Sequence, residues 1–262
     1  MSRHISSLQN PTIKRLLQLQ EKSRTRRKEE GFIIEGIREI ELALAGGYEI
    51  TEVYYNESLL SEKEVTTLVP GSHISYTSLS VEVYQKVAYR AGTEGVIAFA
   101  KARQTQLTEL ILPENPLVLV AEAPEKPGNI GALLRTADAA AVDAVIIANP
   151  RTDIYNPNII RSSVGCVFTT QIATASSKEV ITFLQSKKIH IYSAILQDAV
   201  AYGIQDYTSG SAIVVGTEAT GLTEEWRTVG TNIKIPMRGK IDSMNVSVAA
   251  GILVFEARRQ RG

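Results

Sequence analysis

Apolar positions along this chain recur with two alternating periods. Asn10-Pro11 opens a segment in which Ile13, Leu16 and Leu17 share one face, the spacing of an amphipathic helix with Pro in its first turn. That helix runs into a basic block. The short apolar run FIIE, Phe32 to Glu35, reads as a strand, and IREIELALA as a helix stopped by Gly46 and Gly47. EITEVYY, HISYT and GVIAFAKA read as strands, with EKEVTTLV and VEVYQKVA as helices between them. The pattern predicts an α/β domain over residues 1–105.

From Lys101 to Pro116 the texture changes. QTQLTELILPENP is polar, carries two prolines and has no long period, so residues 106–115 are read as a linker. A second α/β unit, 116–262, then begins. LVLVAEA, AVIIA, KIHIYSAI, SAIVVG and NIKIP read as strands. NIGALLRTADAAA, NPNIIRSSVG, SKEVITFLQSK, LTEEWRTV and Asn245 to Arg259 read as helices or helical turns. Strands alternating with helices predict a mostly parallel sheet covered on both faces.

Composition places the chain among ordinary soluble globular proteins, with 44% apolar and 21% charged residues in 262. A single cysteine, Cys166, excludes an internal disulfide and a multi-cysteine metal site. His4, His73 and His190 show no metal-ligand spacing, so no metal is expected. No signal peptide and no apolar run of about 20 residues is present. A cytoplasmic protein without membrane contact is expected. Net charge is zero but unevenly placed. Lys14, Arg15, Lys22, Arg24, Arg26, Arg27 and Lys28 crowd one short stretch with a single acid, Glu21. Such a block suits phosphate contact, although charge runs are usually solvated helix faces.

Polar residues that could carry chemistry collect in three loops after strands. These hold Asn129 and Arg135, then Gly216-Thr217-Glu218, then Ser243 and Asn245. Each has a plainer structural reading. Asn129, Ser243 or Asn245 could cap helices, Glu218 could be a turn carboxylate, and Arg135 could be a surface residue. The loop after the strand LVLVAEA has Pro124 and Pro127 and lacks GxGxxG. The chain also has no GxxxxGK[ST] and no GxSxG, so dinucleotide, P-loop and nucleophile-elbow chemistries are excluded.

PGNIGALLRTAD, IVVGTEATGL and IPMRGKIDSMNVSVAAGILVFEARRQR resemble the three motifs of the SpoU (TrmH-type) RNA ribose 2′-O-methyltransferases, of the SPOUT class. Arg161, Ser163 and Gly165 match that family's Arg-x-Ser-x-Gly segment. Ala139-Ala140-Ala141 and Met244 depart from the usual residues by apolar swaps. The first domain resembles the L30e-like substrate-binding domain appended to many members. The resemblance implies a C-terminal trefoil knot, S-adenosylmethionine as methyl donor, and a homodimer with active sites at the interface. It implies a catalytic set of Asn129, Arg135, Glu218, Ser243 and Asn245. Gly216, Thr217, Ile235 and Met244 would hold the cofactor, largely through backbone atoms. The basic block, with Arg258, Arg259 and Arg261, would contact RNA phosphates. Arg135 is better suited to stabilising oxyanion charge than to acting as a base, because a guanidinium stays protonated. The added N-terminal domain favours 23S rRNA over tRNA as substrate; a non-catalytic RNA-binding protein is the third reading.

Overall fold

The computed structural model describes residues 3–89, 94–241 and 243–262. Its elements are β1 (Arg3–Ile5), α1 (Pro11–Glu21), α2 (Ser23–Lys28), β2 (Gly31–Glu35), α3 (Ile37–Ala45), β3 (Ile50–Tyr55), α4 (Glu62–Leu68), β4 (Ser75–Leu79), α5 (Val81–Val87) and β5 (Val96–Lys101). There follow β6 (Leu117–Glu122), α6 (Pro127–Ala139), β7 (Ala144–Ala148), α7 (Pro157–Ser162), β8 (Ile172–Ala175), α8 (Ser177–Ser186), β9 (His190–Ala194), β10 (Val200–Ala201), β11 (Ser211–Val215), β12 (Thr231–Lys234) and α9 (Val246–Arg261).

Contacts divide the chain into two compact units. The first is Met1–Arg103 with Asp153–Thr169; the second is Gln104–Thr152 with Thr170–Gly262. The segment Asp153–Thr169, which the sequence pattern assigned to the second domain, therefore packs with the first. Its reason is aromatic. Tyr155 stacks on Phe32 with ring centroids 4.1 Å apart, and Phe168 stands 5.8 Å from Phe32 and 5.2 Å from Tyr48.

The first unit holds a five-stranded sheet in the order β1-β4-β3-β5-β2, with β5 antiparallel to β2 and β3 and the other pairs parallel. Asn10 caps α1 by accepting from the Thr12 N–H, and Pro11 occupies the first turn. Ile13, Leu16 and Leu19 are its buried stripe, whereas Leu17 is only half-buried. The stripe packs with Ile33, Tyr54, Ile97 and Phe99 of the sheet. The expected single helix through the basic block breaks at Lys22, which adopts an extended backbone, and α2 restarts at Ser23.

The second unit carries a seven-stranded, wholly parallel sheet in the order β10-β12-β9-β11-β6-β7-β8. Val118, Val120, Ile146 and Val214 face one core with Val180 and Leu184 of α8. The alternate positions Leu119, Ile147 and Ile213 are also buried, and α6 and α9 pack together on β6, β7 and β11. This is the covered parallel sheet that the alternation predicted. Ser176 and Glu179 form a capping box at the start of α8. Among the described residues no helix is long and apolar enough to cross a membrane.

Candidate active site

In a parallel sheet the loops leaving the strand C-termini gather at one edge, and ligands bind there. Here the loops after β9, β11 and β12 enclose a cavity of about 360 Å³. Its walls include Ile195 and Leu196 after β9, Gly216 to Leu222 after β11, and Ile235, Ser243 and Met244 after β12. Gly216, Thr217, Glu218, Ser243, Ile235 and Met244, six of the anticipated site residues, thus line one cavity. Asp242, part of the same polar loop, lies outside the described residues.

The loop after β11 is folded back on itself. Thr217 and Gly221 exchange backbone hydrogen bonds of 3.1 Å each, and Gly221 adopts φ 68°. Gly216 sits under this turn. A Cβ there would collide with the Gly221 carbonyl and the Leu222 nitrogen. Its lack of a side chain therefore serves the loop's own closure.

Glu218 joins the three polar loops. Its Oε1 accepts from Asn245 Nδ2 at 2.6 Å and from Asn129 Nδ2 at 3.1 Å. Its Oε2 accepts from the Lys126 ammonium at 2.7 Å. Asn245 Nδ2 also reaches Asn129 Oδ1 at 3.3 Å. Lys126 first, then Asn129, hold the Glu218 carboxyl below the ordinary carboxylate range, with the Val246 N–H adding to the effect. The same contact raises the Lys126 ammonium. Asn245 is the N-cap of α9 through its Oδ1, which accepts from Ser247 N at 2.9 Å. Capping and Glu218 binding thus coexist on one amide. Asn129 does not cap α6; Lys126 holds that position and Asn129 lies inside the first turn. Lys126 was missed in the sequence. Its signal was a lone cation between two prolines at the strand-to-helix turn.

Arg135 stands apart. It is exposed on α6, is absent from the cavity wall, and makes no hydrogen bond or ion pair among the described residues. No group of three His, Cys, Asp or Glu that could hold a metal occurs among them either.

The basic block separates into two kinds of residue. Lys14, Lys22, Arg24, Arg27 and Lys28 are exposed. Arg26 is 4% exposed and is withdrawn from the phosphate-contact set. Its Nε and Nη2 bind Asp153 Oδ2 at 3.0 and 2.5 Å, and its Nη1 donates to the Leu19 and Gln20 carbonyls at 2.6 and 3.0 Å. Arg15 is half-buried, paired with Glu29 and Glu52, and lies 4.4 Å over the Phe99 ring. The C-terminal arginines are also engaged. Arg258 donates to Ala140 O and Arg261 to Tyr207 O, both at 2.7 Å, while Arg259 pairs with Glu256. Arg15, Arg26, Arg258 and Arg261 thus serve the fold, which a count of charges does not reveal, whereas the Arg259 side chain stays 70% exposed beside Glu256.

A family model described as the SpoU rRNA methylase family matches residues 116–255, more than half of the chain. The chain belongs to the SpoU rRNA methylase family. An MRM3-like substrate binding domain model matches residues 10–98 of this SpoU-family chain. It is 28% identical over 257 residues to the 23S rRNA (guanosine(2553)-2′-O)-methyltransferase RlmP of Bacillus subtilis, covering 98% of this chain and 99% of that one. It is 34% identical over 165 residues to the tRNA (guanosine(18)-2′-O)-methyltransferase of Thermus thermophilus, covering 62% and 84%. An AdoMet-bound rRNA methyltransferase from Sinorhizobium meliloti superposes with a TM-score of 0.90 at 27% identity, over 98% of each chain.

Proposed function

We propose that this chain transfers a methyl group from S-adenosylmethionine to a ribose 2′-hydroxyl of RNA, in 23S rRNA. The observation that carries the reading is the convergence of Asn129, Glu218 and Asn245 beside the cavity bounded by Gly216, Ile235 and Met244. The residues present fit the donor. The volume is in the range of small-molecule sites, and the lining combines apolar residues such as Ile195, Ile235 and Met244 with the Gly216–Gly221 loop. Gly216, Thr217, Ile235 and Met244 would hold the adenosine, and Ser243 would stand near the reacting end. Bound there, S-adenosylmethionine supplies a methyl group already activated on a sulfonium.

The chain's own residues then have to place a weak nucleophile and stabilise its developing negative charge. Glu218 fixes the Asn129 and Asn245 amides, and so sets the geometry of the reacting edge. Arg135 supplies the positive charge that steadies the sugar oxygen. Its exposed position off the cavity wall favours an active site completed across a homodimer, each copy presenting Arg135 to the other's cavity. Val248 and Phe255, seven residues apart on α9, are exposed apolar side chains and support such pairing. We further propose the trefoil knot for the second unit and a cytoplasmic location. Residues 1–105 would supply the substrate domain, with the 106–115 segment leading into a methyltransferase domain of 116–262 from which Asp153–Thr169 departs to pack with the first unit. Lys14, Lys22, Arg24, Arg27 and Lys28 would form the phosphate-contacting surface.

Ribosomal RNA is favoured because the rRNA-modifying relative matches 98% of this chain, first unit included, whereas the tRNA-modifying relative matches 62%. Mapping 2′-O-methyl groups in rRNA and tRNA from cells with and without the protein tests this. Loss of one 23S site is expected; loss confined to tRNA would transfer the assignment, and no loss would defeat it.

A further inference from the structure

Glu122 ends β6 and is 1% exposed. It does not line the cavity. Its Oε1 accepts from Ser177 Oγ at 2.6 Å and Thr223 Oγ1 at 2.7 Å, and its Oε2 accepts from the Thr223 N–H at 2.7 Å. Ser177 Oγ in turn receives Asn149 Nδ2 at 2.9 Å and Trp226 Nε1 at 3.3 Å. With both acceptor positions filled, the Ser177 proton must point at Glu122. The Thr223 N–H can only donate. Two obligatory donors therefore face two different oxygens. A carboxylate satisfies both. An amide cannot, because its NH2 meets one of them whichever way it turns.

The network clamps a particular segment. Gly216 to Leu222, and then Arg227, line the cavity. The near end of this stretch is closed by the Thr217–Gly221 pairing. Its far end begins at Thr223 and Trp226, which Glu122 holds directly and through Ser177. Trp226 is fully buried, and its carbonyl accepts from Ser193 Oγ at 2.9 Å. We propose that Glu122 is the positioning residue of the cofactor pocket, fixing the Gly216–Arg227 segment from beneath. This rests on the methyl-donor reading above.

Trp226 is the only tryptophan of the chain, so its fluorescence reports on the network itself. The test titrates S-adenosylmethionine into wild type, Glu122→Gln and Thr223→Val, by calorimetry and Trp226 emission. RNA affinity and kcat at saturating cofactor are measured alongside. Glu122→Gln should raise the cofactor Kd about ten-fold or more and shift the emission. RNA affinity should stay unchanged and kcat at saturation largely so. Thr223→Val keeps the N–H donor but loses the hydroxyl, and should raise Kd about three-fold. A shifted emission with unaltered cofactor Kd in Glu122→Gln would make the network merely structural and overturn the proposal. If that variant does not fold, an unaltered Kd in Thr223→Val overturns it. A wild type that binds no cofactor would instead defeat the methyltransferase reading, and this proposal with it.

Discussion

Arg26→Ala separates a structural arginine from the exposed neighbours proposed to contact RNA. The substitution removes four hydrogen bonds at once. Asp153, whose side chain is 21% exposed, loses its ion-pair partner while Oδ1 keeps the Tyr155 N–H, and the Leu19 and Gln20 carbonyls lose their Arg26 donor. Removing one partner of a buried pair costs about 3–5 kcal/mol. Asp153 keeps partial access to water, which places the cost near the lower end, about 3 kcal/mol. For a chain of this size that corresponds to a fall in Tm of roughly 6–12 °C. Arg24→Gln and Arg27→Gln, on exposed residues of the same run, should change stability by less than about 0.5 kcal/mol. They should instead flatten the dependence of log Kd for RNA on log salt by about 0.7–0.9 per lost phosphate contact. Differential scanning calorimetry and salt-titrated RNA binding, done well below the transition, measure both. An Arg26→Ala protein that melts like wild type, yet loses RNA affinity and salt slope as Arg24→Gln does, would refute the division.

Three further substitutions probe the cavity and its rim. Gly216→Ala should force the Gly221–Leu222 backbone away, cost about 1–3 kcal/mol and weaken cofactor binding; an unchanged calorimetric Kd would show that the loop yields freely. Arg135→Ala should abolish methyl transfer while Tm and cofactor affinity stay at wild-type values, because Arg135 has no partner among the described residues; retained turnover in a tritium-transfer assay would remove it from the mechanism. Glu218 has its carboxyl lowered in the folded state, so its contribution is complete above the unfolded value of about 4.3 and is lost only as pH falls through the lower folded value. Cofactor affinity should therefore be insensitive to this group from pH 8 to 5. A Glu218-dependent titration within that window, absent from Glu218→Gln, would contradict the assigned charge network.

Much of this architecture is written in local pattern. The strand LVLVAE and the capped helix after Ser176 announce themselves by apolar runs and by a Ser-x-x-Glu box. The clustering of Gly216, Glu218 and Ser243 at the candidate site was legible because these residues stand in polar loops after apolar strands, whereas the exposed place of Arg135 off the cavity wall was not. What the pattern hid depends on distant partners. The strand Ile172–Ala175 is built of small residues and lacks an apolar run; it forms because β7 offers it a parallel edge. The strand Arg3–Ile5 likewise exists through β4. Asp153–Thr169 joins the first unit because Tyr155 and Phe168 meet Phe32 and Tyr48, more than a hundred residues away in the chain. Glu122 reads as the polar end of a strand until Ser177 and Thr223 are brought onto it. Arg26 looks like every other cation in its run until Asp153 arrives.

A crystal structure grown with S-adenosylmethionine tests the central claim most directly. Density for the donor should fill the cavity between the loops after β9, β11 and β12, with adenosine against Gly216, Ile235 and Met244 and the sulfonium end toward the Glu218–Asn129–Asn245 cluster. Density at another place on the chain, or an empty cavity at saturating cofactor, would contradict the account.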